Sequence, residues 1–167
     1  MRGRTIDSPV GPLTLAGDDG ALAHLRMEDQ THPPPGRDGW CEDPTAFPEV
    51  VEQLAAYFAG ELTEFHVRLD LRGNRFWGQV WDALLGIPYA ETRSYGELAA
   101  QLGRPGAARA VGLANGHNPV GIIVPCHRVI GADGSLTGYG GGLHRKRALL
   151  DLERERATPR LALTPFS

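Results

Sequence analysis

The chain has 167 residues, 41% of them apolar and 22% charged, which suits one domain or two small ones with a real core. No apolar run approaches the roughly 18 residues of a membrane span, and "MRGRTIDSPVG" lacks the apolar stretch of a secretory signal. Two cysteines, Cys41 and Cys126, exclude a disulfide framework, so a reducing cytoplasm is the expected location.

A net charge of −3 argues at first against a nucleic-acid partner, but the charge is unevenly spread. Residues 1–75 carry 7 basic and 13 acidic side chains, whereas residues 92–150 carry 7 basic ones against only Glu97 and Asp133. A basic segment on an acidic chain is the footprint of an anionic partner. A solvated basic face is the competing explanation.

The first half is expected to be small and α+β. "RTIDSPVGPLTLAG" and "ALAHLRM" read as strands separated by Gly and Asp-Gly turns. "THPPPGRDGWCEDP" is a Pro/Gly-rich loop that holds Cys41 without a partner. "FPEVVEQLAAYFAG" is an amphipathic helix, with Pro48 in its first turn and Gly60 at its stop. "FHVRLDL" alternates like a strand, and a domain boundary is expected at 72/73, giving domains 1–72 and 73–167.

The second half changes character. "FWGQVWDALLGIP" is helical, with Val80, Leu84 and Ile87 on one face. Ser94 and Glu97 have capping-box spacing and open a helix to about Leu102. After the turn "GRPG", "AARAVGLANG" forms a second short helix, so the pair has the outline of a helix-turn-helix. That second helix is poor in base-reading side chains, with Arg109 its only charge. Small residues and one long Arg suit minor-groove binding with a wedge better than sequence readout in the major groove.

"IIVPCHRVIG" carries the chemistry. Ile122, Ile123 and Val124 read as a buried strand that stops at Pro125, leaving Cys126 at its end. The plain alternative is a core cysteine. A reactive thiol needs a base or a positive field, and His127 and Arg128 follow directly. Neighbours on a strand point to opposite faces, so Cys126 and His127 cooperate only through a turn or a bridging water. A zinc site would need more thiolates or a C-x-x-C spacing. A cysteine hydrolase could draw backbone donors from "GSLTGYGGG", but that leaves the helix-turn-helix and the basic stretch without a purpose.

"PGAARAVGLANGHN", "NPVGIIVPCHRVIG" and "LTGYGGGLHRKRALLDLE" together closely resemble the O6-alkylguanine-DNA alkyltransferases, also called methylated-DNA–protein-cysteine methyltransferases. The resemblance is strong over about residues 76–153 and looser over "DSPVGPLTLAG". It implies an α+β fold: a small N-terminal α/β domain with an antiparallel sheet, then a mostly helical domain with a winged helix-turn-helix. Cys126 matches the nucleophile that takes an alkyl group from guanine O6, with O4-alkylthymine as a second lesion. His127 resembles its base, acting through water, and Glu153 the carboxylate that orients the imidazole. Asn118 matches the residue that pins the active-site turn, and Tyr95 the phenol that donates to the leaving guanine.

By the same resemblance Arg109 is the finger that replaces a flipped nucleotide, and Ser94 joins Tyr95 at the DNA. The Val129 carbonyl, Tyr139 and Gly140 line the base pocket. The implied partner is double-stranded DNA carrying O6-alkylguanine, bound through its minor groove by a monomer; cooperativity on DNA stays open. No membrane, metal or cofactor is implied. Gly140 stands where some relatives carry a serine, and Trp77 where relatives often have Gln, a packing change. No N-terminal zinc ligand set is evident. The alternative from another class is a DNA-binding damage sensor without transfer chemistry, whose relatives lack the cysteine.

Overall fold

Leu13 and Leu15 recur every second residue along β2 (Leu13–Asp18) and are fully buried, the spacing of a strand with one face on a core. β2 pairs antiparallel with β1 (Arg2–Ile6) and β3 (Ala21–Met27). The β2–β3 turn places Asp19 at φ 51° and Gly20 at φ 79°, the two positive values that a tight hairpin requires. The computed structural model describes residues 1–28, 39–136, 139 and 141–157. Most of the Pro/Gly-rich loop and Gly140 lie outside them.

Two expectations for this half need correction. Cys41 is not in a plain loop: β4 (Cys41–Glu42) adds to β1 in parallel, making a mixed sheet of order β3-β2-β1-β4. Its N–H donates to the Met1 carbonyl at 2.8 Å, while its thiol is exposed and free. "FHVRLDL" is not a strand but an extended segment with one parallel bridge, Leu22 to Leu69. The reason is competition for the outer edge of β3. Leu22 bonds to residues 68 and 70, whereas Leu25 N–H donates to Pro119 O at 2.9 Å and Leu25 O accepts from Gly121 N–H.

α1 (Pro48–Phe58) buries Val50, Leu54 and Tyr57, one helical stripe, against the sheet. α2 (Arg75–Leu85) starts where Asn74 Oδ1 accepts from Trp77 N–H at 2.9 Å, and it buries Val80, Trp81 and Leu84. Ile87, just beyond, is buried too. α3 (Tyr95–Gln101) has the full capping box, with Glu97 N–H donating to Ser94 Oγ and Ser94 N–H to Glu97 Oε1. α4 (Ala108–Gly116) follows a turn with Gly103 and Gly106 at positive φ, and Trp81 Nε1–H donates to its Ala114 carbonyl.

α5 (Leu143–Ala157) buries Lys146, Leu149, Leu150 and Glu153, again one face of a helix. β5 (Arg93–Ser94) and β6 (Val129–Ile130) form a small parallel pair that sets the chain after Cys126 beside the start of α3. The architecture is therefore α+β, a sheet with one helix followed by a helical part with a winged helix-turn-helix. One apolar core runs through both parts, joining Leu13, Leu25, Leu54, Trp81, Val111 and Leu149. Truncating such a side chain, as in Leu149→Ala, costs about 2–5 kcal/mol.

Candidate active site around Cys126

The segment before the cysteine is not the expected strand. Residues 121–123 form turns, and Ile122 takes φ 70°, a left-handed conformation that is costly for a β-branched residue. Asn118 accounts for this bend. Its Oδ1 accepts from Val120 N–H at 3.0 Å and its Nδ2 donates to Val124 O at 2.8 Å, closing the segment on itself. Val124 N–H donates to Val120 O at 3.0 Å within the same loop. Cys126, His127 and Arg128 then form a single 3-10 turn, so the alternation of a strand does not separate cysteine from histidine.

Glu153 is completely buried and accepts five hydrogen bonds. Oε2 accepts from His127 Nε2 at 2.6 Å, Tyr57 Oη at 2.6 Å and Arg128 Nη2 at 3.0 Å. Oε1 accepts from Arg128 Nε at 2.8 Å and Ala90 N–H at 3.1 Å. Arg128 Nη1 donates to Ile87 O at 2.7 Å, so that its guanidinium is fixed as well. Burial alone would raise the Glu153 carboxyl, but hydrogen bonds and charge from His127 and Arg128 hold it well below the usual carboxylate range.

An ionised carboxylate only accepts, which assigns the proton of His127 to Nε2 and leaves Nδ1 with its lone pair. Nδ1 is buried with no hydrogen-bond partner among the described residues. Burial, with smaller contributions from Arg128 and Lys146, lowers the imidazole despite the pull of Glu153, so His127 rests neutral. It is a free base held by an acceptor. A proton arriving at Nδ1 makes an imidazolium paired with Glu153.

Cys126 is 6% exposed, and burial pushes its thiol up. Hydrogen bonds from Asn118 and Tyr139 and the charge of Lys146 act the other way. Lys146 is the chain's single lysine and is fully buried, and burial lowers it to about 8 while charge on Cys126 raises it. A thiol at rest with a neutral base and a cation nearby is poised to ionise only as it reacts.

The remaining expected residues fall around this centre. Ser94 caps α3, and Tyr95 is its first residue, with the ring packed beside Gly112 of α4; a Cβ at 112 would stand 3.7 Å from it. Val129 is buried in β6. Tyr139 comes near the cysteine from the glycine-rich loop, and burial, then the neighbouring Cys126, raises its phenol. Gly140 lies outside the described residues. Arg109 is exposed on α4, apart from the thiol's immediate partners, and makes no ion pair with the described residues. Ala110 and the 56% exposed Leu113 share its outer face.

Sequence reasoning missed Tyr57 and Lys146 as residues of the site, and saw Arg128 only as a positive charge beside Cys126. Tyr57 lies 96 positions from Glu153 and looked like one more apolar face of α1. Arg128 and Lys146 were counted in the basic stretch, yet both are turned inward, so the surface there is less basic than the sequence total. Their adjacency to Cys126 and their place on the α5 stripe of Glu153 were the available signals. Trp77, the residue that departs from the common Phe-Gln, stacks on His117 with centroids 4.4 Å apart, a packing role.

Two family models match the chain. The 6-O-methylguanine DNA methyltransferase ribonuclease-like domain covers residues 1–71, and the DNA binding domain of the same family covers 75–155. A methylated-DNA–protein-cysteine methyltransferase of Mycobacterium tuberculosis is 69% identical over 160 residues, 96% of each chain. One from Methanosarcina acetivorans is 52% identical, covering 89% of this chain and 95% of the relative. The crystal structure of Mycobacterium tuberculosis OGT in complex with DNA superposes with a TM-score of 0.91 at 66% identity, over 98% of this chain and 99% of that one. Matched over both halves, the chain belongs to the 6-O-methylguanine DNA methyltransferase family.

Proposed function

We propose that the protein repairs DNA by moving an alkyl group from guanine O6 to Sγ of Cys126, once per molecule. The observation that carries this reading is the buried thiol beside a neutral imidazole whose other nitrogen is held by an ionised carboxylate. As a substrate carbon approaches, the thiol proton passes to His127 Nδ1 through a bridging water, and Glu153 stabilises the imidazolium. Sulfur forms a bond to the alkyl carbon as the carbon–O6 bond breaks. Tyr95 gives the leaving guanine its proton, and His127 returns one, so the thiol proton ends on the purine. A thioether is a very poor leaving group, so the protein is consumed.

Guanine O6 lies inside a duplex, which requires the nucleotide to be turned out into the site. Arg109, with Ala110 and Leu113, presents a narrow face with one cation, suited to the minor groove of double-stranded DNA. Ser94 and Tyr95 extend it toward Cys126, and Arg109 fills the gap in the stack. Val129, Tyr139 and Gly140 wall the base. Residues 1–72 and 73–167 are the two domains that meet at the site, in a monomer working in a reducing cytoplasm. The test is stoichiometry: repair of a methylated duplex saturates at one equivalent of protein and is absent in Cys126→Ser, which still binds DNA. Turnover well past one equivalent overturns the reading.

A further inference from the structure

Tyr57 has no part in the mechanism above, yet it donates one of the two shortest hydrogen bonds to the carboxylate of the site. It belongs to α1, packed with the sheet, and it is fully buried. Its hydroxyl chooses Oε2, the same oxygen that accepts from His127 Nε2. We infer that Tyr57 is a positioning residue through which the N-terminal half sets the basicity of His127, by sharing the carboxylate oxygen that holds the imidazole. The inference rests on the proposed role of His127 as the base for Cys126.

Two effects of such a bond are conceivable, and the geometry decides between them. The first is to hold the carboxylate in place. Arg128 already grips both oxygens, at 2.8 and 3.0 Å, and Ala90 N–H adds a third anchor, so placement is secured without Tyr57. The second is to draw negative charge away from His127. A carboxylate has about four lone-pair sites, and here five donors share them. Each further donor on Oε2 weakens the pull on the Nε2 proton. Burial and the neighbouring Glu153 charge raise the Tyr57 phenol, so it stays protonated and can only donate to that oxygen.

The charged and titratable groups around His127 come from several elements. Glu153 and Lys146 face it from α5, Cys126 and Arg128 from its own turn, and Tyr57 from α1. Tyr89, whose ring lies under the Arg128 guanidinium at 5.7 Å, and Tyr139 at the sulfur are neutral phenols. α2 also touches this turn, but its charged residues, Arg75 and Asp82, are exposed. Tyr57 is therefore the neutral donor that tempers the ion pair. With it, His127 stays unprotonated until the thiol gives up its proton. Without it, the imidazole is more basic and is protonated from solvent at higher pH, so the base is lost earlier as pH falls.

The test measures the rate of Cys126 alkylation against pH in the full chain with Cys41→Ser, using iodoacetamide and, separately, a free O6-alkylguanine. In Tyr57→Phe the acidic limb of both profiles moves up by about half a unit to one unit, the scale of one hydrogen bond to a charged group. 3-Fluorotyrosine placed at position 57, a stronger donor, moves it down. An unmoved limb means Tyr57 only fills the core. A downward move in Tyr57→Phe means it places the carboxylate, and either result overturns the inference. If Tyr57→Phe does not fold, the fluorotyrosine protein decides alone. Failure of the parent protein to react with O6-alkylguanine would refute the alkyl-transfer reading, while the iodoacetamide profile still judges Tyr57.

Discussion

Glu153→Gln is the most informative single change at the site, because shape is kept while charge and acceptor capacity are lost. The native carboxylate is completely buried and accepts five donors, two of them from Arg128. An amide in its place has one oxygen, and its NH2 group must face donors. Turned toward Oε1, it opposes Arg128 Nε and Ala90 N–H; turned toward Oε2, it opposes His127, Tyr57 and Arg128 Nη2. In either orientation the buried Arg128 charge loses its partner, which costs about 3–5 kcal/mol. For a chain of this size that is on the order of 10 °C in Tm. The second orientation also allows His127 to carry its proton on Nδ1, which removes the base. Alkyl transfer should fall by about a hundredfold or more, the contribution of a placed general base.

The assay is urea unfolding with single-turnover transfer, each followed against pH. The native Glu153 is depressed, so its contribution is present above the ordinary carboxylate range and is lost as pH falls through the folded value. The gap between native protein and variant should therefore be full at neutral pH and narrow only below about 4. A loss under about 1 kcal/mol at neutral pH, or an unchanged transfer rate, would refute the reasoning.

Three further outcomes are expected. Alkylated Cys126 lies between packed residues and the Asn118-braced turn, so the added group should overpack the site by about 1–3 kcal/mol and lower Tm; an unchanged or higher Tm contradicts this. Arg109→Ala should slow repair of methylated duplex much more than reaction with free O6-alkylguanine, because an unpaired base avoids most of the unstacking cost. Equal slowing would show that Arg109 serves the fold. Lys146→Met should be more stable at pH 7, where native folding opposes a buried charge. As pH rises through about 8 the native lysine discharges in the folded state and this deficit shrinks. The variant should also transfer more slowly, and an equal rate would deny Lys146 a part in forming the thiolate.

Local signals were legible in the sequence, and long-range ones were not. The capping box of Ser94 and Glu97, the stripe of Val80 and Leu84, and the Asp19-Gly20 turn depend on neighbours a few residues apart, and all formed as read. Ile122–Val124 has strand composition but is curled by Asn118 side-chain bonds that no period encodes. "FHVRLDL" has the alternation of a strand, yet the edge it needed is shared with residues 119–121. Cys126, His127 and Glu153 were singled out through the resemblance to a known family, and the structure brings them together. Tyr57 was not, because its hydrogen bond to Glu153 spans the whole fold.

The most direct measurement of the central claim is peptide mapping by mass spectrometry after reaction with duplex DNA carrying O6-methylguanine. One methyl group on the peptide containing Cys126 is predicted, with the exposed Cys41 unmodified and the same amount of guanine restored in the DNA. Methyl on Cys41, or guanine restored while Cys126 stays unmodified, would contradict it.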